Sequence, residues 1–213
     1  MKFSLKLLTT DSEMTKGILD AMLPYVNRVI QKAAAGYENK VKQILKESIE
    51  SQPEYNALRS GKLRYELGIP DPGMVSSIVD TWVNSVTVKI KSVSVRGNTL
   101  VGGFSVYAVQ SNYADVLGSS SATITDVNTG SVVPWLEWLL LRGGDILVSN
   151  YEVKMGPNPR SRTGGAIMIS STQDYRMPAA YAGTESNNWV YRGIKSIEKD
   201  LESELYLSLQ RAL

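Results

Sequence analysis

Two arginines lie together in a loop whose composition suits anion binding. Residues 156–165 read GPNPRSRTGG, which places Arg160 and Arg162 among Gly, Ser and Thr. Guanidinium groups and the backbone N–H groups of such turns bind anions. A P-loop is not indicated, because that motif needs Lys followed by Ser or Thr at the start of a helix, and residues 166–169 are predicted to form a strand. A connecting loop whose arginines meet solvent or a neighbouring subunit is the favoured interpretation.

Paired carboxylates are the main catalytic chemistry that the composition leaves open. The 213 residues include no His and no Cys, which excludes thiolate and imidazole metal sites, Cys nucleophiles and Ser-His-Asp triads. A glycosidase needs two carboxyl groups about 5 to 9.5 Å apart. The candidates are Asp115, Asp126, Glu137, Asp145, Glu152 and Asp174. No spacing singles out a pair, so solvated or salt-bridged roles are favoured, and no catalytic, metal-binding or cofactor-binding residue is predicted.

Aromatic side chains offer a third possibility, the stacking of nucleic acid bases. Trp135, Trp138 and the tyrosines lack the interleaved Lys and Arg residues that such platforms use. Packing in the core or at the centre of a subunit interface explains them better.

The overall charge and hydropathy favour neither nucleic acid nor membrane as a partner. Lys plus Arg is 23 and Asp plus Glu is 21, a formal charge of +2, too small to predict electrostatic capture by DNA or an anionic bilayer. No run approaches the roughly 18 apolar residues of a membrane span. The start, MKFSLKLLTTDSE, lacks a signal-peptide core. We therefore expect a mature, intracellular protein.

The elements that must position these residues begin with a long helix. Apolar residues recur three to five apart over residues 12–51, which predicts one long amphipathic helix or two in succession. Ser12 is the predicted N-cap. Pro24 and Gly36 predict a kink or break near either position.

Two hairpins and two helices are predicted further along the chain. Alternating β-branched residues around the turn Gly97-Asn98 predict a hairpin over residues 85–110, followed by an exposed arm at 111–131. The segment VPWLEWLLLRGG, residues 133–144, predicts a buried helix that ends at Gly143 and Gly144. Strands on either side of the loop at 156–165 predict a second hairpin, and a final amphipathic helix begins near Trp189.

These elements predict one α+β domain covering residues 1–213. In it a long N-terminal helix and a C-terminal helix pack on a mainly antiparallel β-sheet that carries an extended loop or arm. No repeat, linker or low-complexity tract divides the chain.

The order of short motifs resembles the neck and tail-completion proteins that join head to tail in tailed bacteriophages. After the long helix come GKLRYELGI at 61–69, a strand pair, NYADVLG at 112–118, the Trp-rich helix and MPAAYAGT at 177–184, before the last helix. The family has a "GxLr" segment before its first strands, a "Ya" motif at a strand end and a proline-bearing segment before the final helix. The helix WLEWLLLRGG and the hairpin loop GPNPRSRTGG are additions to the smallest members.

The resemblance implies a structural, non-enzymatic subunit of the virion. Copies would close into a ring, hexameric or dodecameric, assembled in the host cytoplasm and contacting portal or adaptor and tail proteins, with genomic DNA passing through the channel without specific recognition. A ring uses head-to-tail contacts whose rotation closes. The residues predicted to lie at subunit interfaces are Tyr113, Asp115, Arg160, Arg162, Trp189 and Arg192.

Three alternatives stay open. A tail terminator ring differs from a neck ring only in its neighbours within the particle. A carboxylate-dependent glycan hydrolase would lose activity when one Asp or Glu is replaced. A nucleic-acid-binding module using Arg160 and Arg162 would bind DNA with steep salt dependence.

Overall fold

The fold is α+β, as predicted. The computed structural model describes residues 9–107, 113–126 and 130–213. In these ranges the helices are α1 Asp11–Glu50, α2 Pro53–Arg59, α3 Lys62–Leu67, α4 Gly73–Ser85, α5 Ala114–Leu117, α6 Trp135–Leu141, α7 Trp189–Ser196 and α8 Glu198–Ala212. The strands are β1 Thr87–Arg96, β2 Thr99–Tyr107, β3 Ile124–Thr125, β4 Val132–Val133, β5 Tyr151–Met155 and β6 Ala166–Ser170. None of the described helices is long and apolar enough to cross a bilayer.

The described strands form three separate antiparallel pairs rather than one sheet. They are β1 with β2, β3 with β4 and β5 with β6. The long first hairpin has the predicted turn, with Gly97 at φ 59° and Thr87 opposite Tyr107. Both long hairpins are confirmed, and the predicted antiparallel pairing is present as three small sheets in the described residues.

Helix α1 starts one residue before the predicted N-cap and is continuous. The backbone N–H of Glu13 donates to Thr10 Oγ1 at 3.3 Å, and the N–H of Thr10 donates to Glu13 Oε2 at 2.9 Å. This capping box makes Thr10, not Ser12, the N-cap. The helix continues through Pro24 and Gly36, so a break is wrong and the kink stays a prediction; helix propagation is cooperative and tolerates one missing hydrogen bond.

The chain divides into two compact units. Unit 1 comprises Met1–Lys40, Thr87–Tyr107 and Glu202–Leu213, and unit 2 comprises Val41–Val86 and Ala108–Leu201. Helices α1 and α8 each contribute residues to both. This division does not decide how many folding domains the chain has, and the single domain stays a prediction.

Unit 1 is a helix-and-hairpin assembly with a small core. Val29, Ala33 and Ala212 form its buried cluster, with Phe104 and Leu209 packed against it. The side chain of Asn27 also connects α1 to β1. Its Oδ1 accepts from the N–H of Val93 at 2.8 Å, and its Nδ2 donates to the carbonyl of Val93 at 3.2 Å. The paired hydrogen bonds hold β1 where its register shifts, between Lys91 and Ser94.

Unit 2 has a large aromatic core. Trp82, Trp135 and Trp189 are fully buried, and the rings of Trp82 and Trp189 meet edge to face at 5.7 Å. The indole N–H of Trp135 donates to the carbonyl of Ser121 at 2.9 Å. Trp135 is therefore a core residue, which agrees with the favoured interpretation.

Two segments of the motif series meet at the end of α6. The N–H of Gly143 donates to the carbonyl of Gly183 at 2.9 Å. A Cβ on Gly143 would lie 2.6 Å from the Gly183 nitrogen, closer than such atoms approach. Glycine at position 143 thus lets the chain around MPAAYAGT pass directly against the end of the Trp-rich helix.

The C-terminal region and the predicted arm differ from expectation in detail. The predicted last helix is two helices, α7 and α8, separated at Ile197. In the predicted arm, residues 111, 112 and 127–129 lie outside the described residues; the remainder includes α5, a 3₁₀ turn at Ser120–Ala122 and the β3–β4 pair, with Val116 and Ala122 buried. The arm itself stays a prediction.

Candidate functional site

A cavity of about 470 Å³ lies in unit 2 beside α3 and the β5–β6 hairpin. Most of its wall is apolar, and the residues are Leu67, Val133, Trp138, Val148, Val153, Ala166, Ile167, Met168 and Ile169. Its polar side chains are Tyr65, Glu66, Asp126, Arg160, Ser161 and Arg162, and Gly68 completes the lining. An apolar cavity of this size with a few polar groups is typical of a small-ligand site.

The loop at 156–165 shapes one side of the cavity through hydrogen bonds of its own. Ser161 Oγ donates to the carbonyl of Ala166 at 2.5 Å and accepts from the N–H groups of Thr163 and Ala166, each at 3.3 Å. Asn158 Oδ1 accepts from the N–H of Arg160 at 2.9 Å. These turns close the hairpin and set the backbone from which the two arginines extend.

Arg162 forms an ion pair with a carboxylate of the same chain. Its Nη2 lies 2.7 Å from Asp126 Oδ2, and the two side chains are 28% and 29% exposed. Gly68 ends α3 with φ 69°, and Arg162 Nη1 would lie 3.1 Å from a Cβ at this glycine. Arg160 is exposed, and its guanidinium forms no ion pair or hydrogen bond with any described residue.

Glu66 lines the cavity, although no pattern in the sequence singles it out. Buried Leu63 and Leu67 anchor α3, and Glu66 lies beside that anchored face. Its Oε2 is buried and has no hydrogen-bond partner among the described residues. Burial raises the pKa of the Glu66 carboxyl, and the charge of Lys62 only partly opposes this. The segment GKLRYELGI placed this acid between two core-type residues, but nothing in that pattern distinguishes a buried carboxylate from an exposed one.

The hydroxyl of Tyr175 is a second unsatisfied polar group near this carboxylate. Tyr175 is buried, and its oxygen also has no described partner. Burial raises the pKa of the Tyr175 hydroxyl well above its usual range, and the charge of Glu66 adds to the effect. Two uncompensated groups therefore lie in the same part of unit 2.

The carboxylates suggested by sequence do not converge. Asp145 binds Arg142 at 2.8 Å, Asp174 accepts from the N–H of Asn150 at 3.0 Å, and Glu152 accepts from the Ser171 hydroxyl at 3.2 Å. Of the six, Asp126 alone lines the cavity. In the described ranges no group of three Asp or Glu residues is placed to hold a metal ion.

Three of the predicted interface residues surround the start of α7. Asn188 caps this helix by accepting from the N–H of Tyr191 at 3.0 Å, and its Nδ2 donates to the Tyr113 hydroxyl at 2.8 Å. Trp189 follows in the core, and Arg192 forms an ion pair with Glu54, whose side chain is 1% exposed.

Tyr113 and Trp189 are buried and pack inside unit 2. Arg192 forms its ion pair with Glu54 of the same unit. Asp115 lies beside Tyr113, with Oδ1 accepting from the N–H of Val116 and Oδ2 buried without a described partner. Arg160 and Arg162 belong to the cavity, so the six residues form two separate groups. Their part in subunit contacts stays a prediction.

A second candidate surface lies on unit 1. The apolar stripe of α1 packs inward at Val29 and Ala33, but its continuation towards the N-terminus is exposed. The exposed members are Met14, Ile18, Met22 and Tyr25. Their spacing of four, four and three residues places them on one face of the helix.

The first hairpin is exposed along most of its length. Val93 is the buried residue of β1, and β2 has none. Ile90, Val101 and Tyr107 are exposed apolar side chains on these strands. A two-stranded hairpin is only marginally stable alone in water, and its free edges are templates for further association.

Neither protein-family models nor curated proteins nor solved structures give a match to this chain.

Proposed function

We propose that this chain is a structural subunit of a phage virion neck, a tail-completion or head-to-tail connector ring through which genomic DNA passes. The motif order supports the class of protein. The main structural support is the exposed apolar stripe of α1. One end of the stripe is buried in the core and the rest is exposed to solvent, which is the pattern expected when another molecule covers the exposed part.

The occupant of that stripe is another copy of the same chain. A closed ring needs two different surfaces that meet head to tail. Unit 1 offers a helical stripe and also exposed apolar residues on its hairpin and on α8, where Tyr206 is 64% exposed. An assembly contact of this kind needs on the order of 1,200 to 2,000 Å² of buried surface, and one four-residue stripe alone is too small, so both surfaces take part.

Electron microscopy tests the proposal. The purified protein should form rings with an open centre, and a tagged copy should label intact particles at the head–tail junction. Contact with the portal or adaptor supports a neck ring, whereas contact with tail tube alone supports a tail terminator. A protein that forms no ring and is absent from particles contradicts both.

A glycan hydrolase is the second candidate, because Glu66 and Asp126 both line the cavity. The raised pKa of Glu66 suits a general acid, but the ion pair with Arg162 occupies Asp126. Activity on a glycan panel that Glu66→Gln and Asp126→Asn each abolish supports it, and a blank panel contradicts it.

A further inference from the structure

The two faces of the first hairpin differ in exposure and composition. Strand alternation and the register of β1 with β2 define an outward face, opposite the buried side chain of Val93. Its members are Thr87, Lys89, Lys91, Ser94 and Arg96 of β1 and Thr99, Val101, Gly103, Ser105 and Tyr107 of β2. Two residues of β1 lie opposite Gly102 where the register shifts, so Ser94 stays on the same face as Lys91. All members are exposed except Gly103, which is partly exposed.

The outward face is basic and carries no acid. Lys89, Lys91 and Arg96 lie on it, and no Asp or Glu occurs between Asp80 and Asp115. Taking these three from the 23 Lys and Arg residues of the chain leaves 20, against 21 Asp and Glu. The hairpin therefore accounts for the whole excess of positive charge.

The three cations are accessible to a partner. Each is exposed, and none forms an ion pair with any residue that the structure describes. Lys89 Nζ lies 4.9 Å from the centroid of the Tyr107 ring, which keeps it over the outward face. The residues opposite Lys89 and Lys91 are Ser105 and Gly103, and because both are small, a ligand can approach the two ammonium groups.

The uncharged members of the face favour phosphate groups as the ligand. Thr87, Ser94, Ser105 and Tyr107 carry hydroxyl groups, and Lys, Arg, Ser, Thr and Tyr side chains all contact the phosphates and sugars of DNA. The face has no Asn, Gln, Asp or Glu, the side chains that read adenine and cytosine. An anionic bilayer is a poorer partner, since a membrane-surface element needs a broad apolar face and Val101 is the only aliphatic side chain here.

We propose that the outward face of the first hairpin binds double-stranded DNA through its phosphates, with Lys89, Lys91 and Arg96 as the cationic contacts and without preference for base sequence. The nine residues of β2 span about 30 Å, and the major groove, about 12 Å wide, admits a two-stranded ribbon. The choice of DNA rests on the proposed function, and the inference names the surface that meets the genome. Non-specific binding of this kind has a Kd of about 10⁻⁴ to 10⁻⁶ M at physiological salt, which is weak enough for DNA to move through a ring.

Fluorescence anisotropy of a labelled DNA duplex tests the inference on the unchanged protein. A chain that neutralises three phosphates should lose at least about fortyfold in affinity between about 50 and 200 mM NaCl, since each contact contributes about −0.9 to the slope of log K against log salt. Duplexes of two unrelated sequences should bind alike. Absence of binding at the lower salt, a loss of less than about fourfold, as for a single contact, or a strong preference for one sequence would overturn the inference.

Neutralising the three cations assigns the binding to this face. The triple variant Lys89→Gln, Lys91→Gln, Arg96→Gln should bind the duplex at least about tenfold more weakly at low salt, and its salt dependence should be flatter. Replacing both lysines by arginine keeps the charge and should keep the affinity. Thermal unfolding verifies that the variants are folded; a folded triple variant with unchanged affinity would contradict the assignment.

A matched variant controls for the loss of net charge. It removes two lysines and one arginine from exposed positions of unit 2, namely Lys154→Gln, Arg160→Gln and Lys195→Gln. Its affinity should stay within about threefold of that of the unchanged protein, because charges away from the contact surface act only through a screened field. A loss as large as that of the hairpin variant would overturn the inference, and so would binding to phosphatidylglycerol vesicles without binding to the duplex.

DNA binding and ring formation can fail separately. A chain that binds the duplex but forms no ring would contradict the proposed function and leave the hairpin as a DNA-binding surface. Rings that do not bind the duplex at low salt would contradict this inference alone.

Discussion

The two units bury apolar surface in very different ways. The twelve largest fully buried side chains among the described residues all belong to unit 2. Buried apolar side chains of unit 1 are few and mostly small, namely Val29, Ala33, Ala34, Tyr37, Val93 and Ala212.

The exposed apolar side chains show the reverse distribution. In unit 1 they are Met14, Ile18, Met22, Tyr25, Ile90, Val101, Tyr107, Tyr206, Leu207 and Leu213. In unit 2 they are Val132, Ile146, Tyr151, Met168 and Tyr191. A fully buried aliphatic or aromatic side chain stabilises by about 1.5 to 3 kcal/mol. Unit 2 obtains this stabilisation by burying its apolar side chains within the chain. Under our proposal, unit 1 buries most of its apolar side chains only when copies of the chain assemble.

The largest expected effect is a truncation in the core of unit 2. Trp82→Ala removes a fully buried ring that contacts Trp189, and should lower the free energy of unfolding by about 3 to 5 kcal/mol. The matched change in unit 1, Tyr206→Ala, should cost less than about 0.5 kcal/mol at concentrations where the chain is monomeric. Urea unfolding measures both, and similar losses would remove the contrast between the units.

The next effect concerns the buried carboxylate of unit 2. Arg192→Met leaves Glu54 buried without its ion-pair partner, and should cost about 3 kcal/mol, the low end for such pairs because Arg192 is partly exposed. Adding Glu54→Gln should restore most of that loss, since the uncharged amide tolerates burial better. If the double variant is less stable than Arg192→Met, the charge is not the cause.

A smaller effect is expected where unit 1 holds its hairpin. Asn27→Ala removes two hydrogen bonds to Val93 and should lower the free energy of unfolding by about 1 to 2 kcal/mol, with faster hydrogen exchange at the Val93 amide. Asn39→Ala, an exposed site on the same helix, is the control and should be neutral or slightly stabilising. An unchanged rate of hydrogen exchange at the Val93 amide would show that the two Asn27 hydrogen bonds do not hold the strand.

The smallest effect is a pH dependence in unit 2. Because burial raises the pKa of Glu66 above its ordinary value of 4.5, its contribution to stability is fully present below that value and is lost as pH rises through the pKa of the folded state. Glu66→Gln cannot ionise, so its melting temperature should rise relative to the unchanged protein between pH 4 and pH 7. A difference that stays constant over this range would contradict the raised pKa.

Local patterns predicted the elements well because each depends on nearby residues. The recurrence of apolar residues three to five apart predicts α1, Gly97-Asn98 predicts the first hairpin, and VPWLEWLLLRGG predicts α6. The N-cap is an exception: Ser12 is predicted from sequence, whereas the structure has Thr10 in a capping box with Glu13.

The sites depend on distant pairs and were harder to predict. Arg162 and Asp126 are separated by 36 residues, and nothing in the sequence around either residue indicates that they form an ion pair. Glu66 and β6 line the same cavity. The sequence of the short helix α3 does not show that β6 lies beside it. The sequence predicts an amphipathic α1 but does not show which part of its apolar stripe the chain itself covers. In the structure the stripe is buried at Val29 and exposed at Met14, Ile18, Met22 and Tyr25.

The native mass of the protein tests the central proposal most directly. Size-exclusion chromatography with light scattering should give a ring-sized multiple of 23.4 kDa, and the double variant Ile18→Ser with Met22→Ser should give the mass of a single chain. Val132→Ser, which changes an exposed apolar side chain of unit 2, should leave the assembly intact. A mass of 23.4 kDa for the unchanged protein at every concentration, or an assembly that the double variant leaves intact, would contradict the account.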